Sequence, residues 1–469
     1  MAGVDLLPGN QSTHIRQSRL RWQFVRRATV LVVGCGILLA TWRRFGVQGI
    51  VFPVRIASGS MAETLVGPHW LVTCAHCHFQ FSSGVDHPPA DTGATCPNCG
   101  FSHNRLAPNE LRPGDRVVID RWTYLWRAPS RYDLVALRSP DGQGDWAVKR
   151  ILGLPGETVA IREGDVYIND QPLRKSWPLL AEMAVTIHDD RHRPTDATAD
   201  SLHWQPGHAA SGWHCTADGY NYASSADFHS TRVATHAADW DWLVYRHQSG
   251  LPPPTISDGN ALWLDNDPYN QSLSRPLHRI HDVLLSFQVR NPDQRPIAVA
   301  LTTNGHEFLI AWRPDLRQWE LTESSKFSPA STNESSGQQN ARVLYDWPPG
   351  ENRVTCQVAY CDHQVLLIVN GQILIKQTIG PSPPTHLRQP CAVRIGASRG
   401  SLHVGAIRLA RDIYYTPAPT VESRSDSVEV LGPAQYLVLG DNSPASVDGR
   451  EWGPVSMGEI IGRVVRWQR

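Results

Sequence analysis

The chain carries no net charge: Lys+Arg 44 is matched by Asp+Glu 44. A nucleic-acid binder ordinarily shows a basic excess, so no nucleic-acid partner is expected. Charged residues are scarce at 19%, against roughly 25% in typical soluble domains. No sustained heptad or Gly-X-Y period is present, which excludes a coiled coil and a collagen. Long apolar runs are also lacking beyond the first fifty residues, which excludes a polytopic membrane protein. Acidic residues are missing altogether between Asn10 and Ala62.

What is present fits a β-rich, multi-part chain. A length of 469 residues suggests about three domains. The hydrophobic share of 41% supplies ample core. Gly 36 and Pro 35 favour many turns and short strands over long helices.

Arg16, Arg19, Arg21, Arg26 and Arg27 precede an uncharged stretch from Ala28 to Trp42, which ends at Arg43-Arg44 and is followed by a second apolar run, Phe45 to Val54. A full span needs about 20 apolar residues, and arginines snorkelling at both ends could extend this one. An uncleaved anchor over 28–50 is expected; a cleaved signal peptide and a buried core helix are its rivals. The arginine excess on the N-terminal side puts residues 1–27 in the cytoplasm and the rest of the chain outside, crossing once.

Ser58-Gly59-Ser60-Met61 follows the anchor, and by itself reads as a turn. Arg116 to Asp120 and Tyr132 to Leu137 read as strands. The next strand, Trp146 to Leu152, holds one lysine, Lys149, among Ala147, Val148, Ile151 and Leu152. A lysine there is either an edge gatekeeper or a desolvated base. A serine and such a lysine form a known nucleophile–base pair. Near the end lies Gly440-Asp441-Asn442-Ser443-Pro444-Ala445-Ser446-Val447-Asp448-Gly449-Arg450, between strands Tyr436–Leu439 and Glu459–Val465.

SGSMAETL at Ser58–Leu65, GDRVVIDR at Gly114–Arg121, YDLVAL at Tyr132–Leu137, VKRILGLPGETV at Val148–Val159 and GDNSPASVDGREWGPV at Gly440–Val455 together resemble bacterial-type signal peptidase I. That family consists of membrane-anchored Ser-Lys serine endopeptidases. The resemblance covers well under half of the chain, and Glu63 stands where the family usually has proline. It implies Ser60 as nucleophile, Lys149 as general base, Ser58 as oxyanion-hole hydroxyl and Ser446 as the hydroxyl that orients the lysine. Asp448 and Arg450 would brace the loop, Met61 would line the site, and Arg150 would disfavour the ammonium of Lys149 if it approached. No cofactor is implied for catalysis. The implied substrates are signal-peptide-bearing preproteins, bound as an added strand and cut after a small-x-small motif beside the lipid bilayer.

Two insertions interrupt this pattern. Cys74-Ala75-His76-Cys77 and Cys96-Pro97-Asn98-Cys99 fit the C-x₂-C…C-x₂-C spacing of a zinc ribbon. Four thiolates would close a structural zinc site at Cys74, Cys77, Cys96 and Cys99; two disulfides are the rival. The second insertion, 176–418, shows little periodicity from Thr186 to Pro276. It then gives nine strand patterns between Val283 and Leu409, with hairpin turns at Asn304-Gly305 and Asn370-Gly371. The runs IVNGQILIKQ and RIGASRGSLHVGAIRLARDIYY resemble laminin-G and concanavalin-like jelly rolls.

The expected architecture is mainly β: cytoplasmic tail 1–27, anchor 28–50, catalytic body 51–73, 103–175 and 419–469, ribbon 74–102, and a β-sandwich insertion 176–418 with an unknown ligand. The insertion is expected to close on itself, so that its removal leaves the peptidase intact. His188-Asp189-Asp190-Arg191-His192 and Asp265-Asn266-Asp267 read as loop and turn before metal sites. Cys356 with Cys361, and Cys215 with Cys391, are candidate pairs. Two other functions compete: a glycan- or partner-binding protein on a degenerate peptidase scaffold, and a self-cleaving Ser-Lys regulator.

Overall fold

The structure is a computed structural model. It describes residues 22, 25–39, 49–89, 93–140, 146–194, 196–198, 201–223, 240–248, 262–291, 293–324, 340–347, 353–380, 390–416 and 428–466. It is mainly β.

The peptidase-like part is built on a seven-stranded sheet in the order Val51–Arg55, Arg116–Asp120, Ile460–Arg466, Leu134–Arg138, Trp146–Gly153, Gln435–Leu439 and Val455–Ser456. Strands from both ends of the sequence alternate in it, so the sheet cannot form without the C-terminal segment. Apolar side chains cover both faces, as the near-continuous Val, Ile and Leu runs require. On one face Met61, Leu65, Val117, Ile119, Ala136 and Val464 pack together. A four-stranded sheet runs Gln171–Pro172, Asp165–Ile168, Thr158–Arg162, Val428–Val430. The hairpin after the lysine strand therefore lies in a different sheet from Gln435–Leu439. The two share one core all the same, through Val159, Val166, Leu152, Leu431, Leu437 and Leu439.

The long insertion forms a two-sheet sandwich. The first sheet runs Trp213–Thr216, Gly219–Ala223, Ser401–Arg411, Val283–Arg290, Val354–Cys361, Gln364–Val369, Gln372–Thr378, with Val185–Asp189 also on Ser401–Arg411. The second runs Trp204–Pro206, Asp241–Tyr245, Ala392–Ala397, Ile297–Thr303, His306–Arg313, Gln318–Ser324, Asn340–Leu344. Inward residues of both, among them Phe287, Val299, Ile310, Leu367 and Ile395, make one core. Both Asn-Gly turns adopt positive φ at both residues, 51° and 83° at Asn304-Gly305 and 49° and 79° at Asn370-Gly371, as tight hairpin loops demand.

The stretch from Thr186 to Pro276 contributes five short strands that its sequence does not announce. Their inward residues are Trp204, Trp213, Tyr220, Tyr222, Leu243 and Tyr245. Cys356 and Cys361 do not flank a turn; they lie five apart on the single strand Val354–Cys361. An odd separation points them to opposite faces, Cys356 into the sandwich core and Cys361 outside it. Both are free thiols, as are Cys215 and Cys391.

The expected anchor 28–50 is described only in part. Residues 25–39 are helical with exposed apolar side chains. No helix among the described residues is long and apolar enough to cross a membrane. Residues 40–48 lie outside the described residues, as does the tail 1–21.

Candidate active site

Lys149 sits mid-strand in Trp146–Gly153 and is 2% exposed. Its Nζ donates to Ser446 Oγ at 2.8 Å and lies 5.8 Å from the centre of the Trp452 ring. Burial lowers its pKa from 10.5 to about 8; the Asp448 carboxylate opposes that shift and the Arg450 guanidinium adds to it. The next residue, Arg150, faces the other side of the sheet, because side chains alternate along a strand. There it forms a buried two-pronged ion pair with Asp441, Nε to Oδ1 at 2.8 Å and Nη2 to Oδ2 at 2.6 Å. The like charge near the lysine is thus Arg450, not Arg150, and Arg150 anchors the Gly440–Asn442 loop.

Ser446 is held by the same loop. Asp448, fully buried, accepts from Gly440 N at 2.8 Å and from Arg450 Nε and Nη2 at 2.8 and 2.7 Å. Burial works against its charge, but the Arg450 fork outweighs that and holds the carboxyl below its ordinary pKa. Arg450 also donates to the carbonyls of Thr416, Ser443 and Ser446 and to Ser443 Oγ. One guanidinium therefore fixes both ends of the turn that carries Ser446.

The serine box docks on this loop through its backbone. Asn442 N donates to Ser60 O at 3.2 Å, and Asn442 Nδ2 donates to Gly59 O at 2.8 Å. A Cβ at Gly440 would stand 2.1 Å from Ser446 Oγ and 2.5 Å from Ser60 O. Only glycine lets the Ser446 hydroxyl and the serine box close on each other there. Ser58 Oγ donates to Ser60 Oγ at 3.5 Å, the limit of a hydrogen bond. No hydrogen bond joins Lys149 to Ser60 among the described residues; the lysine's donation goes to Ser446. Met61 is buried beside Ser60, and the Ala62–Glu63 peptide is cis.

No local pattern announces what covers the box from behind. Segment 265–271, inside the range expected to close on itself, reaches out of the sandwich to the site. Asp267 caps the short 3₁₀ turn Pro268–Asn270 by accepting from Tyr269 N at 2.8 Å, so Asp265-Asn266-Asp267 is an extended lead into a turn. The Tyr269 ring fills the space beside Gly59, where a Cβ would lie 2.1 Å from the ring, and its hydroxyl donates to Pro68 O at 3.1 Å. Asn270 and Asn442 exchange amide hydrogen bonds of 2.6 and 3.1 Å. Gly59 N donates to Asp86 Oδ2 at 2.9 Å.

The four cysteines converge. Their sulfurs all lie within 4.8 Å of one another, with Cys74 to Cys99 at 3.6 Å and Cys77 to Cys96 at 3.7 Å. Bonds of about 2.3 Å to a tetrahedral metal give sulfur–sulfur edges of about 3.8 Å, whereas a disulfide needs about 2.05 Å. All four are free thiols. Two matching backbone knuckles, His78 N to Cys74 O and Gly100 N to Cys96 O, both 3.0 Å, present them. The four-cysteine unit is clasped by the insertion: Asn98 bonds Asp189 N and His192 O, at 2.6 and 2.7 Å. Gln271 bonds both Thr95 N and Thr95 O, at 2.7 and 2.9 Å. The His188–His192 loop is therefore a docking loop, with Asp189 and Asp190 paired to Arg191 and Arg193.

A family model described as signal peptidase, peptidase S26, matches residues 105–227 and 387–468. The match contains Lys149, Ser446, Asp448 and Arg450 and starts after the serine box. Two curated relatives agree with it. The chain is 31% identical over 91 residues to probable signal peptidase I-2 of Synechocystis sp., 18% of this chain and 42% of that one. It is 35% identical over 85 residues to signal peptidase I of Leptolyngbya laminosa, 16% of this chain and 42% of that one. The aligned stretches thus span about two fifths of those relatives' length. Among solved structures, a protein of unknown function with galectin-like fold from Bacillus subtilis covers 49% of this chain and 98% of its own, at 8% identity and TM-score 0.29. Carbohydrate binding module CBM66 from Bacillus subtilis covers 45% and 96%, at 6% identity and TM-score 0.26.

Proposed function

We propose that the protein is a signal peptidase, a membrane-anchored serine endopeptidase that removes signal peptides from preproteins after a small-x-small motif. The observation that carries this reading is the buried Lys149 amine, with a pKa of about 8, hydrogen-bonded to Ser446 on the loop that also grips the Ser60 backbone. Signal-peptidase likeness of the segments supplying Lys149 and Ser446 supports it.

In the proposed reaction, Ser60 Oγ attacks the scissile carbonyl and gives its proton to neutral Lys149. Ser446 orients the amine for that transfer. The oxyanion is met by the Ser60 N–H and the Ser58 hydroxyl, each such donor being worth roughly 3 kcal/mol in related acyl transfer. The tetrahedral adduct collapses, the C–N bond breaks, and Lys149 returns the proton to the leaving amine. Water, deprotonated by the same lysine, then releases the acyl group. Burial is what makes the amine useful: at pH 7 about a tenth of it is neutral, against well under a thousandth of an exposed lysine.

The membrane reading rests on the start of the described body. Val51 pairs with Asp120, and Arg121 N donates to Ile50 O at 2.9 Å. Ile50 and Val51 therefore lie next to the segment that carries Trp122, Leu125 and Trp126, which are exposed. Tryptophan on such a rim suits the lipid headgroup region. The N-terminus would lie in the cytoplasm and the body outside. Zinc at Cys74, Cys77, Cys96 and Cys99 would be structural, since four thiolates leave no open position for chemistry.

The deciding experiment is preprotein processing in vitro. Ser60→Ala and Lys149→Ala should each abolish cleavage in folded protein; normal processing by either variant would defeat the proposal.

A further inference from the structure

A second cluster of chemistry lies at the seam between the sandwich and the peptidase-like part, away from the serine box. The chain leaves for the insertion past Lys175 and returns past Asp412. At that crossing Asp412, Asp362, Asp282 and the Cys361 thiol bring ligand atoms within 4.8 Å of one another. Asp165, at the start of the strand Asp165–Ile168 in the four-stranded sheet, faces them and lines the same cavity of about 190 Å³. The seam is also crossed by Tyr167, whose hydroxyl meets His363 Nε2 at 3.1 Å.

The charge at this spot does not balance. Lys175 Nζ donates to Asp362 Oδ1 at 2.9 Å and to Asp412 Oδ2 at 2.5 Å. One ammonium thus faces four carboxyl groups; His363 Nε2 lies 3.6 Å from Asp165 Oδ2, and Asp362 is already committed, since its other oxygen accepts from Lys175 N at 3.0 Å. Buried carboxylates are as a rule paired or bound to a cation. Asp282 has only the Cys361 thiol, at 3.3 Å, as a hydrogen-bond partner among the described residues. A second, independent observation points the same way. Asn304, 6% exposed, lines the cavity and gives its amide N–H to the Tyr360 hydroxyl at 3.1 Å. Its carbonyl oxygen has no partner among the described residues, and neither has Asp412 Oδ1.

We propose that this cavity binds one hard divalent cation of the calcium class, held by the carboxylates of Asp165, Asp282 and Asp412 and the amide oxygen of Asn304, with water completing the shell. The four groups named are oxygen donors, which suits a hard cation. They come from four separate segments, at a strand start, before a strand, in a hairpin turn and after a strand. Such a set is irregular, which calcium tolerates with its six to eight ligands and magnesium does not. The cation would tie Asp165 of the peptidase-like part to three points of the sandwich, and so staple the insertion at the place where it leaves and returns.

The test uses the full chain after dialysis against EGTA, which spares tightly held zinc. Calcium is then titrated by calorimetry and by thermal unfolding. The expected result is one calcium per chain with a Tm that rises with calcium concentration. Asp282→Asn should weaken binding at least tenfold and flatten the Tm response. In calcium-free buffer that variant should be at least as stable as the parent, because one repulsion is gone. Asn304→Ala should weaken binding severalfold and guards against a variant that fails to fold. The proposal is overturned by a Tm indifferent to calcium up to about 10 mM, well above the roughly 1 mM of weak extracellular sites. It is equally overturned by a calcium response unchanged in Asp282→Asn, or by an Asp282-dependent response to zinc and not to calcium.

Discussion

Lys149 and Ser446 stand 297 positions apart in the chain and 2.8 Å apart in space, amine to hydroxyl. That bond aims the only lysine of its strand at the loop that holds the serine box. The consequences for rate, stability and assembly can each be measured.

The pH dependence of cleavage should report the lysine. With a pKa of about 8, the reactive neutral form falls tenfold per pH unit below that value. Processing of a preprotein should therefore rise from pH 6 and level off above pH 8. Ser446→Ala should slow turnover by about 10- to 100-fold, as loss of an orienting group in a proton transfer does. A flat profile between pH 6 and 8 would mean that another group is the base.

The same lysine should lower stability near neutrality. Its folded pKa is about 8 and its ordinary value 10.5. Between those limits the unfolded chain holds a proton that the folded one does not, so stability rises with pH across that window. Below pH 8 both states are protonated and the folded one bears the full cost of a buried ammonium. Lys149→Met should thus be more stable than the parent at pH 7, by about 1–3 kcal/mol. Denaturant unfolding at pH 7 and pH 10.5 checks this, and the gain should shrink toward the higher pH.

Asn270 and Tyr269 should matter to a reaction whose chemistry lies in other segments. Asn270→Ala leaves the Asn442 carbonyl oxygen without its 2.6 Å donor, a loss of about 1–3 kcal/mol in a buried site. Cleavage should fall while the sandwich stays folded by circular dichroism. Replacing 176–418 with a short Gly/Ser linker should abolish activity, because it uncovers Gly59 and removes Thr416 from Arg450. Full activity in that deletion would show that the covering turn is dispensable.

The ribbon should act on the site at a distance. Purified protein should contain about one zinc per chain by elemental analysis. Cys96→Ser should lose that zinc and, through the Thr95–Gln271 pair, loosen the turn that carries Tyr269. A partial fall in cleavage is expected, smaller than that of Lys149→Ala. Oxidised cysteine pairs in mass mapping would instead favour the disulfide rival.

Much of the fold was legible because its signals are local. Short β-branched apolar runs predicted the strand Arg116–Asp120 to the residue and Trp146–Gly153 to within one. The two Asn-Gly pairs announced their hairpins. Lys149 stood out as the one lysine in an apolar run. Other features had no local trace. Asn270 meets Asn442 across 172 positions, and neither residue is unusual in its own neighbourhood. The direction of Arg150 follows from strand alternation once Lys149 is placed inward, and the same parity rule separates Cys356 from Cys361. The five short strands between Thr186 and Pro276 escape because Trp, Tyr and His supply their buried faces in stretches of three to five residues, too brief for a period to register.

The seven-stranded sheet also sets an order of events during synthesis. Lys149 and Arg150 leave the ribosome long before their partners Ser446 and Asp441. At about 5–20 residues per second the wait is roughly 15–60 s. Until then two adjacent cations occupy a strand that nothing neutralises, so that strand stays hydrated and its lysine stays an ordinary, fully charged one. The insertion, whose own two sheets need nothing from the Gly440 loop to pair, can fold in that interval. On the proposed reading, the nascent chain is thus inactive until the last strands dock and bring Ser446 to Lys149.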